Sequence, residues 1–265
     1  MLSFRQLDNR PMRIKWHRSD CIQSTNSYLA GLQGGDPDYD YEVAVSAFQT
    51  AGRGQRGNSW ESQPGKNLLF SILAHPADIG ASEQFFISQA ISLAVSESVA
   101  RFLGPESGAH VRVKWPNDIY WKDSKMAGIL IEHSIVGRSI ANTIVGVGLD
   151  VNQTVFESDA PNPISMAMVA GHEFDMEPIL QEIILRFAGL MDQCSPEEKE
   201  AVNRMYHERM YRNSGFHRFA DSAGEFKARI IRVEPNGCLV LETDAGGLRT
   251  YEFKQVRFLL SSSVD

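Results

Sequence analysis

The chain has 265 residues, enough for one large domain or for a domain with a small companion. Hydrophobic residues make up 43% of the chain and charged residues 22%, so a disordered protein, a coiled coil and a collagen are excluded. The 33 acidic residues outnumber the 26 basic ones, and the net charge of -7 argues against a broad surface for nucleic acid.

The N-terminal part of the chain alternates between strand and helix patterns. Strands are predicted at 13–17, 42–49 and 67–75. Ser24, Thr25 and Asn26 are predicted N-caps of a helix. A glycine-rich stretch follows at 51–57, and a long helix with one apolar stripe is predicted from about 83 to 103, where Gly104 and Pro105 end it.

Three further strands are predicted at 111–115, 127–135 and 139–152, the last two joined as a hairpin by Gly137 and Arg138. An apolar stripe over 179–191 predicts a second long helix. The third long helix has an explicit start, because Ser195 is a suitable N-cap, Pro196 suits the first helical position and Glu198 completes a capping box.

Short strands separated by turns dominate the C-terminal part of the chain. They are predicted at 225–233, 238–243, 249–253 and 256–260, a density typical of a small SH3-like barrel. We therefore predict an α+β protein in which a mixed sheet is flanked by helices and a small barrel follows. The expected domains are 1–213 and 214–265.

The cysteines and the N-terminus bear on the cellular compartment. Cys21, Cys194 and Cys238 show neither zinc nor disulfide spacing, so we expect a reducing cytoplasm. The N-terminus carries charges before any apolar run, unlike a secretory signal, and no apolar run has the length of a membrane span. We expect no membrane partner and no nucleic-acid partner.

The glycine-rich stretch combines backbone freedom with positive charge. Gly52, Gly54 and Gly57 let the backbone approach a ligand closely, and Arg53 and Arg56 supply cations for a phosphate or a carboxylate. The stretch lacks the end of a Walker motif, and no helical pattern follows it as in a dinucleotide-binding fold. A plain glycine turn with solvated arginines is the simpler alternative, but two arginines and a nearby tryptophan favour an anion site.

Three other segments allow both a structural and a functional interpretation. Pro116 stops a strand and leaves Asn117 and Asp118 where side chains converge on a ligand, or merely in a turn. Lys125 could meet a developing negative charge or only extend into solvent. The glycines within 146–152 mark the close approach of a ligand or of a packed helix, and the polar trio at 24–26 caps a helix with or without binding.

In their order along the chain, these segments resemble the biotin protein ligases. The matching strings are Ser24-Thr25-Asn26, Gln49 with Gly52-Arg53-Gly54 through Trp60, Lys114-Trp115-Pro116-Asn117-Asp118, Lys125 with Ala127-Gly128-Ile129, and Gly146-x-Gly148-x-x-x-Asn152. The resemblance runs from about residue 14 to the C-terminus. It implies a catalytic domain like that of class II aminoacyl-tRNA synthetases, followed by the small C-terminal domain of these ligases.

The resemblance also implies a reaction and its site. Such enzymes join biotin to ATP as biotinyl-5'-AMP and pass the biotinyl group to a lysine of a biotin carboxyl carrier domain. The biotin-binding residues would be Ser24, Thr25, Asn26, Gln49, Gly52, Arg53, Gly54, Gln55, Lys125 and Gly128. The ATP-binding residues would be Arg56, Trp60, Lys114, Asn117, Asp118 and Asn152. Arg53, Arg56 and Lys125 would act in catalysis, and Mg²⁺ would arrive with ATP near Asp118 without dedicated protein ligands.

Three departures from the family pattern stand out. The bifunctional members begin with a helix-turn-helix domain, and here a strand begins almost at once, so we expect a monofunctional ligase. Gln55 stands where the family often has arginine, from which we expect looser retention of the adenylate. Asp150 stands where the family often has asparagine and receives no assigned role. A homodimer through a sheet edge stays open.

Two rival functions can be separated by sequence features. A lipoate or octanoate protein ligase would share the fold, but the Gly-Arg-Gly loop and the Lys-Trp-Pro-Asn-Asp string favour biotin. A non-catalytic biotin-binding module would keep Ser24, Thr25 and Gln49 but could lose the charged loop and Lys125. Both are present, which favours the enzyme.

Overall fold

The structure is a computed structural model that describes residues 11–76, 78–157 and 162–259, with the backbone alone at Arg56. Its strands are β1 (Ile14–Ser19), β2 (Tyr41–Ser46), β3 (Leu68–Ala74), β4 (Val111–Lys114), β5 (Asp118–Trp121), β6 (Ser124–Val136), β7 (Ser139–Leu149), β8 (His217–Asp221), β9 (Gly224–Val233), β10 (Leu239–Thr243), β11 (Leu248–Tyr251) and β12 (Arg257–Phe258). Its α-helices are α1 (Thr25–Ala30), α2 (Phe85–Gly108), α3 (Met166–Ala170), α4 (Met176–Met191) and α5 (Pro196–Arg209). None of the helices in these ranges is both long enough and apolar enough to cross a bilayer.

Strands β1 to β7 form one mixed sheet in the order β1-β2-β3-β7-β6-β5-β4. The β1–β2 pair is parallel and the other neighbours are antiparallel. The remaining strands form a second, antiparallel sheet in the order β11-β10-β9-β8-β12. The predicted α+β class, with a mixed sheet, flanking helices and a small C-terminal β unit, is confirmed.

Alternation along β3 shows how the large sheet separates its two faces. Leu68, Phe70 and Ile72 belong to the main core together with α2 and α4. Leu73 belongs to a smaller cluster with Leu29 of α1, on the opposite face. Because successive side chains of a strand point to opposite faces, the sheet buries a wide apolar face under the long helices and leaves the other for α1 and the functional site.

The three long helices lie where the sequence predicts them, although α2 extends beyond its predicted end. Ser195 caps α5 and forms a capping box with Glu198, as predicted. Helical hydrogen bonding continues through residue 108, beyond the predicted end of α2, but Gly104 has a φ of 79° and kinks the backbone there. The break at Gly104 is therefore confirmed, and one further turn follows it because Pro105 suits the start of a new helical turn.

Three elements were not predicted. Strand β5 is only four residues long and directly follows the Pro116 turn, so its sequence pattern is too short to indicate a strand. Helix α3 has five residues, too few for a helical period to emerge. Strand β8 lies immediately after the predicted domain boundary at 213, and the predicted strand at 256–260 ends outside the described residues.

The C-terminal sheet is attached to the large sheet through Trp115 and its surroundings. The Trp115 Nε1–H donates to the Gly237 carbonyl at 2.9 Å, and the Trp115 ring meets Phe253 edge-on at 6.3 Å between centroids. Gly237 has a φ of 92°, and a Cβ there would lie 2.8 Å from the Phe85 ring. This turn therefore needs glycine both for its backbone conformation and for its contact with α2.

Replacing Trp115 by Phe should loosen the C-terminal sheet. The substitution leaves the Gly237 carbonyl without its donor, which costs about 1–3 kcal/mol. We expect a lower unfolding midpoint in urea and faster proteolytic cleavage within 212–216, the segment that joins the sheets. Trp121→Phe is the matched control, because the Trp121 Nε1–H donates at 3.0 Å to Ser107 within the large unit. Equal cleavage of the two variants would contradict this docking role.

Candidate functional site

A cavity of about 1210 Å³ lies on the face of the large sheet opposite the long helices and extends to the 253–258 segment of the C-terminal unit. The predicted site residues along its wall are Ser24, Thr25, Asn26, Gln49, Arg53, Gly54, Gln55, Trp60, Lys114, Asn117, Asp118, Lys125 and Gly128. These residues come from six separate stretches of chain that the tertiary fold brings to one place. A cavity of this size exceeds the usual range for a small-molecule site, so it has room for a nucleotide beside a second ligand.

One end of the cavity is polar and lies at the start of α1. Ser24 caps this helix, as predicted, by accepting from the Ser27 N–H. The Gln49 side-chain oxygen accepts from the Thr25 N–H at 2.7 Å and lies 3.1 Å from the Thr25 hydroxyl. Because Thr25 and Asn26 are each only 3% exposed, this end offers a few fixed polar groups in an otherwise buried wall.

Glycines on β6 and β7 make the floor of the cavity. A Cβ on Gly148 would lie 2.4 Å from the Trp60 indole, and one on Gly128 would lie 2.8 Å from it. A Cβ on Gly146 would lie 2.0 Å from the Asn26 side-chain oxygen. Of the glycines within 146–152, Gly146 therefore packs against helix α1 through Asn26, Gly148 packs against Trp60, and both also line the cavity.

An ion pair and a partly buried lysine occupy the middle of the cavity. The Lys125 ammonium lies 2.7 Å from the Asp118 carboxylate and 5.5 Å from the Trp60 ring centroid. Lys114 donates to the Tyr120 hydroxyl at 2.9 Å, and its burial lowers its pKa, an effect that Asp118 partly offsets. Two cations facing one carboxylate leave net positive charge here, which suits phosphate.

Two polar atoms at the cavity are buried without a protein partner. Among the described residues, neither the Gln55 side-chain oxygen nor the Trp60 Nε1 makes a hydrogen bond. Buried polar atoms usually find partners, so these two are places where a bound ligand could supply one. Both atoms belong to the glycine-rich stretch and the tryptophan that follows it, where the sequence predicts an anion site.

The structure keeps two predicted residues away from the cavity wall. Asn152 is buried and exchanges two hydrogen bonds of 2.9 Å with the backbone of Phe174, so its amide groups are already used. Gly52 lies behind the wall, where a Cβ would meet the Trp60 carbonyl oxygen at 2.9 Å. The Arg56 side chain lies outside the described part of the structure, and its role stays a prediction.

Sequence reasoning missed polar residues that support the site from inside the strands. Ser71 is fully buried in an apolar strand and lies 2.6 Å from both Thr25 Oγ1 and Asn26 Oδ1. Glu132 holds Asn26 and Arg53 at the cavity rim. The available signal was a single polar residue within an apolar run, because such a residue needs a partner when it is buried.

Asp150, to which no role was assigned, belongs to a buried network behind the cavity. Asn67 donates to Asp150 at 2.9 Å and to Gln153 at 2.7 Å, and Gln153 also accepts from the Gln63 N–H. The network ties the end of β7 to the segment that follows Trp60. Burial raises the pKa of Asp150 well above the ordinary carboxyl value, although the charge on Lys125 opposes this shift and Glu61 adds to it.

The chain matches a known protein family across about half of its length. Residues 19–150 match the model of the biotin/lipoate A/B protein ligase family. A biotin–acetyl-CoA-carboxylase ligase of Paracoccus denitrificans is 32% identical over 169 residues, which cover 62% of this chain and 68% of the relative. The chain therefore belongs to the biotin/lipoate A/B protein ligase family. Within that family, the relatives from Mycobacterium tuberculosis and Paracoccus denitrificans are both named biotin–acetyl-CoA-carboxylase ligases.

Other relatives extend beyond the matched region. The bifunctional ligase/repressor BirA of Salmonella typhimurium is 37% identical over 181 residues, covering 66% of this chain and 53% of the relative. The chain spans 64% of the length of the corresponding Bacillus subtilis protein. Among solved structures, the biotin protein ligase of Aquifex aeolicus in complex with biotin and ATP aligns with a TM-score of 0.73 and 21% identity, over 93% of this chain and 99% of that one.

Asp150 should make the stability of the protein depend on pH. Because its pKa is raised in the folded state, the folded protein holds a proton that the unfolded chain releases above about pH 4. The contribution of Asp150 to the unfolding free energy should therefore fall as pH rises from 5 to 8, and Asp150→Asn should remove this loss. Urea denaturation at both pH values measures the difference between the variant and the wild type.

Glu177→Gln is a control of opposite sign. Hydrogen bonding to Arg18 lowers the pKa of Glu177, so this carboxylate contributes stability that is present above its unfolded pKa and is lost as pH falls. The variant should gain nothing at pH 8. An advantage of Asp150→Asn that is the same at pH 5 and pH 8 would exclude a raised pKa for Asp150.

Proposed function

We propose that this protein is an ATP-dependent ligase that activates biotin as biotinyl-5'-AMP and transfers the biotinyl group to a lysine of a biotin carboxyl carrier domain. The observation that carries the proposal is that one cavity joins the buried Thr25–Gln49 end to the Lys125–Asp118 pair. The first can bind a small polar ring by directed hydrogen bonds, and the second lies where a phosphate would be activated. The biotin-ligase relatives support the same substrates.

Both chemical steps can be written from the substrates' own groups. A carboxylate oxygen of biotin attacks the α-phosphorus of ATP, the bond to the β-phosphate oxygen breaks, and pyrophosphate leaves. The amine of the carrier lysine then attacks the acyl carbon, AMP leaves, and the new amide nitrogen gives up a proton. No protein nucleophile is needed, so the protein contributes orientation, charge and exclusion of water.

The residues of the cavity divide these tasks. Lys125 would stabilise the negative charge that builds up at the α-phosphate, with Asp118 holding its ammonium in place. Lys114 would neutralise the outer phosphates, and Trp60 would pack beside the adenine. Arg53 would face the carboxylate of biotin, and the glycine-rich stretch would fold over the adenylate.

Mg²⁺ would be held mainly by the phosphates of ATP. Within the described ranges, no group of three or more His, Cys, Asp or Glu side chains is arranged to hold a metal ion. Asp118 supplies a carboxylate to the cavity wall, and Mg²⁺ commonly combines one or two carboxylates with substrate phosphates and water. The ion would neutralise phosphate charge when bound.

The carrier, the oligomeric state and the compartment belong to the same proposal. The acceptor would be the carrier domain of a biotin-dependent carboxylase, and a homodimer stays open. A cytoplasmic location stays a prediction, in keeping with three free cysteines.

The intact mass of a biotin carboxyl carrier domain tests the function. The domain is incubated with this protein, Mg²⁺-ATP and biotin, and in parallel with lipoate in place of biotin. We expect the mass of one biotinyl group to be added only when biotin and ATP are both present. A gain with lipoate would favour the lipoate branch of the family, and no gain together with no adenylate would exclude ligase activity.

Lys125→Ala should separate catalysis from binding. The lost charge stabilises mainly the transition state, so we expect adenylate formation to slow by about 10²–10³-fold while the Kd for biotin changes far less. Pyrophosphate release and calorimetric titration with biotin measure the two effects. Lys227→Ala removes an exposed lysine of β9 outside the cavity and should change neither. Equal losses in rate and in affinity would contradict this role for Lys125.

A further inference from the structure

Glu132 is a carboxylate on the cavity face of β6 that the function proposed above does not use. Gly128, Leu130 and Glu132 alternate along the strand and so share one face, and the first two contribute to the cavity wall. Glu132 pairs in register with Ile144 of β7, two residues from Gly146. Its side chain is 40% exposed, which puts the carboxylate at the rim of the cavity rather than in its depth.

One oxygen of Glu132 receives two donors from different elements. Its Oε2 accepts from Asn26 Nδ2 at 2.8 Å and from Arg53 Nη2 at 3.0 Å. Asn26 belongs to α1, whereas Arg53 lies in the glycine-rich loop. The carboxylate therefore joins the two segments that close the polar end of the cavity.

The Asn26 side of this junction is rigid. Asn26 is 3% exposed, its Oδ1 lies 2.6 Å from the Ser71 hydroxyl, and there is no room for a Cβ at Gly146 beneath it. Ser71 also lies 2.6 Å from the Thr25 hydroxyl, which in turn reaches Gln49. Glu132 is thus anchored through a chain of buried hydrogen bonds, and a buried network of this kind holds its members in one arrangement.

The Arg53 guanidinium is the less constrained side of this junction. Arg53 follows Gly52 and precedes Gly54, and its side chain is 45% exposed, so little packing holds its guanidinium. A guanidinium has five N–H donors in a fixed fork, and the hydrogen bond from Nη2 to Glu132 leaves other donors for a second anion. If the guanidinium is already held in place before the ligand binds, binding does not have to offset the conformational entropy lost in ordering the Arg53 side chain.

We propose that Glu132 is a positioning residue that holds the Arg53 guanidinium toward the carboxylate end of the bound acid. This inference rests on the function proposed above, in which that acid is biotin. Glu132 itself does not touch the ligand. It acts through Arg53, whose guanidinium it holds by a hydrogen bond of 3.0 Å.

A double-mutant cycle tests this role in the full-length protein. Glu132→Gln keeps an oxygen that can accept from Asn26 but removes the charge that holds Arg53. We expect the Kd and the KM for biotin to rise about five- to tenfold, which corresponds to about 1–1.4 kcal/mol, while kcat changes less than about twofold. In an Arg53→Ala background, the same Glu132→Gln change should raise the Kd by less than about twofold, because its target is gone.

The controls separate positioning from stability and from failure of the function itself. Glu177→Gln removes the carboxylate of another exposed ion pair, with Arg18 at 2.7 Å, and should leave the Kd for biotin unchanged. Thermal unfolding of Glu132→Gln should match the wild type closely, since exposed ion pairs contribute little.

Two results would overturn the inference. One is an unchanged Kd for biotin in Glu132→Gln. The other is a rise in Kd by the same factor when Glu132→Gln is made in the wild type and in Arg53→Ala, because Glu132 would then not act through Arg53. A wild-type protein that binds no biotin at all would overturn the proposed function as well, and the titration of the wild type alone distinguishes that case.

Discussion

The absence of side chains at three strand positions is the constraint on which the site depends. Gly146 leaves room for Asn26, while Gly128 and Gly148 leave room for the Trp60 indole, and a Cβ at any of the three would approach to 2.8 Å or less. Contacts that short do not persist, so a larger residue would displace either α1 or the segment carrying Trp60. At the floor of the cavity, the strand backbone is therefore in direct contact with the side chains of Asn26 and Trp60. These contacts set the distance of α1 and of the segment carrying Trp60 from the sheet.

Charge is arranged around that floor in pairs whose partners come from different elements. Lys125 of β6 meets Asp118 of β5, and Arg53 of the glycine-rich loop meets Glu132 of β6. Each pair fixes a cation that the proposed reaction needs near an anion of the substrate. Partly exposed pairs of this kind add little to stability, so their value lies in orienting the cations before the ligand binds.

The C-terminal sheet belongs to the same arrangement, because its 253–258 segment completes the cavity wall. Trp115, which attaches the C-terminal sheet, lies directly before the turn that carries Asn117 and Asp118. The chain that leaves β4 therefore both carries Asn117 and Asp118 to the site and holds the C-terminal sheet. Loosening of the C-terminal sheet should for this reason also shift Asn117 and Asp118. Asp150 supports the opposite side, where its buried network secures the segment after Trp60.

By itself, the sequence determined the fold class, the three long helices and most strands, and its motifs named thirteen of the residues that line the cavity, because periodicity, caps and motif order are local properties of the chain. It left β5, α3 and β8 undetected, since elements of four or five residues carry too short a pattern. Only the tertiary structure decided that Asn152 is bound to Phe174 and that Glu132 joins Asn26 to Arg53. Those contacts depend on which face of a strand meets which loop, and residues up to 106 positions apart meet only after the sheet has assembled.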